Sequence, residues 1–152
     1  MPFLLDTDHL SILHRRQQPE CDRIITRLSQ YPADDISVSI ISFHEIVKGW
    51  MAYLNQSRTS AKTVRAYAEL EIIWRSFCKM NIVSYSIEAE HHFTNLRKQG
   101  IRIGTMDLRI ASIGLETNAI VVSRNGIDFG KIQGLITEDW TSDNFDIEVN
   151  DS

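Results

Sequence analysis

Short apolar runs recur along the chain, separated by longer stretches with helical spacing. The first run, Phe3-Leu4-Leu5, ends abruptly in Asp6-Thr7-Asp8. An apolar run with no polar alternation suits a strand buried on both faces, as in a parallel sheet. Ile36-Ser37-Val38-Ser39-Ile40 alternates and predicts a second strand. Ile82-Val83-Ser84 predicts a third, Ala119 to Ser123 a fourth, and Leu135-Ile136-Thr137 a fifth. Between the strands, Cys21, Ile24, Ile25 and Leu28 share one face of a helix over 20–29, with Pro19 just before it. Ser42 with Glu45 three residues later forms a capping-box pattern, opening a helix that buries Ile46, Val47, Trp50 and Leu54. After a polar break, a helix over 61–79 is expected to turn Val64, Tyr67, Ala68, Ile73, Trp74 and Phe77 inward. The two helices then pack as an antiparallel hairpin. Further helices are predicted from Ile87 to Lys98, and from a cap at Thr105 or Asp107 to Leu115, ended by Asn118.

Strands alternating with helices imply an α/β fold with a parallel sheet of four or five strands covered on both faces. The length of 152 residues suits one domain. Residues 1–140 read as that domain and 141–152 as an acidic, flexible tail. An apolar content of 43% and a charged content of 24% are those of a soluble globular protein. The apolar runs are too short to span a bilayer and the N-terminus carries no secretory pattern, so no membrane partner is expected. Cys21 and Cys78 are widely separated. Free buried thiols in a reducing cytoplasm are the expectation.

The net charge of −4 is unevenly spread. The last twelve residues hold Asp143, Asp146, Glu148 and Asp151 and no base, which leaves 16 acids against 16 bases in residues 1–140. If four of those acids gather around metal ions, the rest of the body is basic by four charges. An acidic pI therefore does not exclude RNA.

Four acids stand at informative places. Asp6 ends the first strand, Glu45 lies one turn into the helix after the second, Asp107 opens the helix after a glycine loop, and Asp128 follows the fourth strand. In a parallel sheet all four lie toward the carboxyl ends of strands, where they can converge on one cleft. Each also has a plainer explanation. Asp6, Asp8 or Asp107 can cap a helix, Glu45 can complete its capping box, and Asp128 can be a turn residue. Four clustered acids repel unless cations offset them, and hard oxygen donors suit Mg²⁺ or Mn²⁺.

FLLDTDHLS, ISFHEIVKG, IGTMDLRIA and VVSRNGIDFGKI, in that order, resemble the motifs of the PIN-domain ribonucleases, specifically the VapC-type toxins of toxin–antitoxin pairs. The resemblance runs from Phe3 to Trp140. It implies a three-layer α/β/α PIN-like domain and matches Asp6, Glu45, Asp107 and Asp128 to the family's metal-site acids. Ser123 stands where the family usually has Thr, and the hydroxyl is kept. The resemblance further implies a Mg²⁺- or Mn²⁺-dependent endoribonuclease in which metal-activated water hydrolyses RNA. Asp6 and Asp107 would be direct ligands. Glu45 would ligate or orient the attacking water, and Asp128 would act through a second metal or through waters. Ser123, Asn125 and Thr7 would hold carboxylates or substrate phosphate. A cognate antitoxin and a homodimer using the helices over 42–79 are the implied partners.

Arg15, Arg16, Arg97, Lys98, Arg102 and Arg109 are candidates for phosphate contacts. The pair His91-His92 reads as solvated, and His9 and His14 show no partner by spacing. Two rival readings remain. Strand-Asp-x-Asp also opens the haloacid-dehalogenase-like phosphatases, with Asp6 as nucleophile and Asp8 as acid/base, but no later Lys and Gly-Asp motif follows. A non-enzymatic binding module would have no reason to bring four carboxylates together.

Overall fold

The computed structural model of the chain describes residues 2–143. Strands β1 (Phe3–Leu5), β2 (Ile36–Ser39), β3 (Ile82–Val83), β4 (Ile120–Val122) and β5 (Ile136–Glu138) form one sheet in the order β3-β2-β1-β4-β5. Every pairing is parallel. Leu5 stands beside Val38 on one side and Val122 on the other. The expected five strands are all present, and the two apolar runs sit at the centre. Phe3, Leu5, Ile120 and Val122 face one core, while Leu4 and Val121 face the other. The two-residue alternation of a strand thus serves two buried faces at once.

Helices α1 (Thr7–Arg15), α2 (Glu20–Leu28) and α4 (Ser60–Cys78) supply Leu10, Ile12, Ile24, Ile73 and Phe77 to the first core. Helices α5 (Ile87–Lys98), α6 (Thr105–Thr117) and the short α7 (Gly126–Phe129) supply Leu96, Leu108, Ile113 and Phe129 to the second. Helix α3 (Ile40–Gln56) reaches both, with Ile41 in the second core and Phe43, Ile46 and Trp50 against the first. The layers are therefore α/β/α. Among the described residues, no helix is long and apolar enough to cross a membrane.

Four expectations need correction. The α3–α4 hairpin forms, with the Phe43 and Phe77 rings edge to face at 5.1 Å. Its inner residues on α4, however, are Ala66, Ile73 and Phe77, while Val64, Tyr67, Ala68 and Trp74 point outward. Helix α3 begins at Ile40, three residues earlier than a Ser42 cap would place it. Ser39 caps it by accepting the Ser42 N–H at 3.1 Å, because the chain passes from strand to helix without a loop. Asp107 lies inside α6, whose N-cap is Gly104. Of the two free thiols Cys21 is buried, but Cys78 is exposed.

The chain does not leave the domain after residue 140. Thr141 is buried, and Arg23 donates to the Thr141 carbonyl at 3.0 Å and to Asp143 at 2.7 Å. The rest of the acidic tail, 144–152, lies outside the described residues.

Candidate active site

From β1 the chain builds outward to β2 and β3, then crosses back to add β4 and β5 on the other side. Neighbouring β1 and β4 are therefore followed by segments that diverge, leaving a crevice at their carboxyl ends. Asp6 follows β1 directly, its backbone N–H still bonded to the Val122 carbonyl at 3.0 Å. An open cleft of about 460 Å³ lies there, lined by Asp6, Thr7, Asp8, Glu45, Asp107, Arg124 and Asn125, with Ser11 at its edge.

Three of the four expected acids line this cleft, and each is held on one oxygen by an uncharged donor. Asp6 is buried and caps α1, its Oδ1 accepting the His9 backbone N–H at 2.9 Å and the His9 ring at 3.1 Å. Capping and a place in the cleft thus coexist in one residue. Glu45 forms no capping box. Its Oε1 accepts the Thr7 hydroxyl at 2.6 Å, and Thr7 Oγ1 also lies 3.0 Å from the buried Ser42 hydroxyl. Asp107 Oδ2 accepts from Asn125 Nδ2 at 3.2 Å. The same amide nitrogen donates to Asp128 Oδ2 at 3.0 Å, so Asn125 bridges two acids.

Asp128 stands outside the cleft wall, behind Asn125, with Lys131 Nζ 3.2 Å from its other oxygen. Among the described residues, the Ser123 hydroxyl has no hydrogen bond to a carboxylate. It accepts the Asn125 N–H at 2.9 Å and so shapes the turn that aims Asn125.

The electrostatics sort the acids into two groups. Burial pushes the Glu45 carboxyl above its ordinary value; the Thr7 hydrogen bond opposes this, and Asp107 and Asp6 add to the rise. Burial likewise raises Asp107, opposed by Asn125 and reinforced by Asp6, Asp128 and Asp8. Asp128 moves the other way, held below its ordinary value by Asn125 and Lys131. Mutual repulsion among Asp6, Glu45 and Asp107 is what a hard divalent cation would relieve. Among the described residues, no three such side chains are already closed into a metal-sized cage. An open trio still fits Mg²⁺, which is bound through few carboxylates and keeps several waters.

Sequence reasoning missed three participants. Arg124 donates from Nε and Nη2 to both oxygens of Asp8, at 2.5 and 2.9 Å, and is the one base lining the cleft among the described residues. A pair 116 residues apart leaves no periodic signal. Ser42 was hidden by its resemblance to a cap, and His9 because Asp6, three residues before it, read as a helix cap and Trp140 lies 131 residues away. Of the expected phosphate contacts, Arg97 instead donates to the Ile101 and Ile103 carbonyls, both at 3.1 Å. Arg109 lies over the Phe93 ring.

An all-parallel sheet in this order, with a carboxylate cleft at the crossing point, fits the three-layer α/β/α PIN-like domain expected from the motifs. No protein-family model matches the chain. It is 30% identical over 146 residues to ribonuclease VapC1 of Haemophilus influenzae strain R2866, covering 93% of this chain and 99% of the relative. It is 24% identical over 145 residues to the tRNA(fMet)-specific endonuclease VapC of Shigella flexneri, with the same coverage. Among solved structures, VapBC-1 from nontypeable Haemophilus influenzae aligns with a TM-score of 0.67 and 27% identity over 93% of this chain and all of that one. The chain belongs to the VapC family of PIN-domain toxins.

Proposed function

We propose that this protein is an endoribonuclease toxin that hydrolyses RNA phosphodiesters with Mg²⁺ or Mn²⁺ held at Asp6, Glu45 and Asp107. The observation that carries this reading is the convergence of those three acids in one cleft of a chain similar to a VapC ribonuclease. When bound there, a divalent cation supplies the Lewis acidity that makes water a nucleophile near neutral pH and offsets charge on the phosphate. Asp6 and Asp107 are its direct holders. Glu45, fixed by Thr7, completes the donor set or turns the attacking water. Asp128 acts at a distance, through Asn125 and solvent. Arg124, held on the lip by Asp8, is the cation that meets substrate phosphate.

Tied up with Arg124, Asp8 is poorly placed to be the acid/base of a phosphatase. Purified protein given RNA should yield 5′-phosphate and 3′-hydroxyl ends, and EDTA should stop it. Cyclic 2′,3′-phosphate ends would overturn the mechanism, since they require attack by the ribose hydroxyl. Asp6→Asn and Asp107→Asn should each abolish cleavage by a folded protein.

The partner is a cognate antitoxin. A groove of about 580 Å³ continues from Thr7 and Glu45 between α1 and the hairpin, walled by Leu10, Leu13, Ile46, Trp50, Phe77 and Met80. An amphipathic or extended segment can lay apolar side chains there and set an arginine among the carboxylates. Solved relatives such as VapBC-1 are toxin–antitoxin complexes, which supports this reading. Co-expression tests it: the chain alone should arrest growth, and the antitoxin should relieve the arrest.

A homodimer is supported by the outward face of α4, where Val64, Tyr67 and Trp74 are 67%, 60% and 63% exposed. Sedimentation as a monomer at tens of micromolar, roughly the range a standard interface survives, would refute it.

A further inference from the structure

His9 has no role in the chemistry above, yet it is wholly buried and every polar atom of its ring is engaged. Its Nδ1 lies 3.1 Å from Asp6 Oδ1, and its Nε2 lies 3.3 Å from the Trp140 backbone nitrogen. An amide N–H can only donate. Nε2 therefore presents its lone pair to Trp140, and the ring proton sits on Nδ1, aimed at Asp6. The His9 backbone N–H adds a second donor to the same carboxylate oxygen at 2.9 Å. Both donors converge on Oδ1, and no hydrogen bond among the described residues reaches Oδ2. Asp139 Oδ1 is 3.9 Å from Nε2, beyond hydrogen-bond reach, and is taken by the Thr141 N–H at 2.8 Å and the Thr141 hydroxyl at 2.5 Å.

A buried histidine is most often a satisfied core residue. What separates this one is its partner, because a ring that only filled the core would not need to end on a cleft carboxylate. We propose that His9 is a positioning residue: it fixes the Asp6 carboxylate with Oδ2 free for a divalent cation, in a tautomer set by the Trp140 backbone. The segment after β5 is thereby linked to the active site through one imidazole. This inference rests on the assignment of Asp6 as a metal-holding residue.

Two measurements on the full chain test it. In the metal-free protein, ¹⁵N spectra of the His9 ring should show Nδ1 protonated and Nε2 bare; the opposite tautomer would overturn the proposal. Mn²⁺ affinity, read by electron paramagnetic resonance titration, should fall about 10- to 100-fold in His9→Phe, the usual cost of losing an outer hydrogen bond to a ligand. His9→Asn sets an amide nitrogen near the Nδ1 position and should stay within about threefold of wild type on the same scale. Both variants lose the Trp140 bond, so a merely structural role would weaken them alike. Equal Mn²⁺ binding by wild type and His9→Phe overturns the proposal. Should His9→Phe not fold, His9→Gln replaces it: its amide mimics Nε2 and misses Asp6, so binding as tight as in His9→Asn refutes the idea. Wild type that binds no Mn²⁺ would sink the metal assignment and this inference with it, whereas a loss confined to the proposal leaves wild-type binding intact.

Discussion

Replacing Thr7 with valine keeps the branched shape and removes one hydroxyl. That hydroxyl donates to Glu45 Oε1 at 2.6 Å, so Ser42, 3.0 Å away, must be the donor in its own contact with Thr7. The substitution therefore deletes two hydrogen bonds, one to a charged acceptor. In a buried site the charged bond is worth about 1.5–3 kcal/mol and the neutral one about 0.5–1.5. Water can reach Glu45, and Ser42 can turn to a carbonyl one helical turn back, so the low end applies. The expected destabilisation is about 2 kcal/mol at neutral pH.

The same change has a second, directional effect. Burial holds the Glu45 carboxyl above its ordinary value, and Thr7 is the hydrogen bond that opposes this. Without Thr7 the carboxyl rises further, protons compete better with a cation, and the onset of Mn²⁺ binding moves to higher pH. The stability deficit should shrink on acidification through the Glu45 titration, because a protonated carboxyl gains little from a donated hydrogen bond. Urea unfolding at neutral and mildly acidic pH measures the first effect, and Mn²⁺ titration across pH the second. Thr7→Ser should restore both. A valine variant with wild-type stability at neutral pH and an unmoved onset of Mn²⁺ binding would refute the reasoning.

Asp107→Asn should stabilise the metal-free protein at neutral pH while abolishing cleavage. The raised Asp107 carboxyl makes a contribution that is present below its unfolded value and lost as pH rises through the folded one, so thermal melts of the variant should fall less over that range. Arg124→Ala should raise KM more than it lowers kcat and reduce the salt slope of RNA binding by about one; an unchanged slope would show that the guanidinium serves only Asp8. Gly114→Ala puts a methyl 2.7 Å from Val121 Cγ2 and 3.0 Å from Leu135 Cδ1, where α6 packs on the sheet. Overpacking of about 1–3 kcal/mol should exceed the helix-propensity gain of about 1, and urea melts should show net destabilisation.

Sequence patterning located the sheet well because β1 and β4 are buried on both faces, and only an apolar run satisfies both cores. It failed on α4, which carries two apolar stripes. Periodicity gives the spacing of a stripe but not which stripe meets the core, and Trp74 looked as suitable as Phe77. At the site, the acids were legible from their positions after strands, and the motif resemblance named Thr7 and Asn125 as carboxylate holders, but the long-range pairings were not legible. Asp8 and Arg124, or His9 and Trp140, meet only because β4 and β5 are laid beside β1, and no local spacing encodes that adjacency. The capping pattern at Ser42 misled for a related reason: strand β2 stops at Ser39, whose own hydroxyl does the capping.

What the partners have in common separates the inner acids from the outer ones. Asp6, Glu45 and Asp107 are held by His9, Thr7 and Asn125, uncharged groups that fix one oxygen without cancelling the negative charge. Asp8 and Asp128 are held by Arg124 and Lys131, which do cancel it. Had the bases been placed on the inner trio, the cleft would be stable without a cation and would have little to offer one. The arrangement found leaves burial and repulsion unrelieved where Glu45 and Asp107 sit, while Asp128 is relieved already. Three consecutive residues after β4 do much of this sorting. Ser123 shapes the turn, Arg124 neutralises Asp8, and Asn125 orients Asp107 without neutralising it. A chain that balanced its charges pairwise would fold with less strain in this cleft, and for that reason would hold a divalent cation less well.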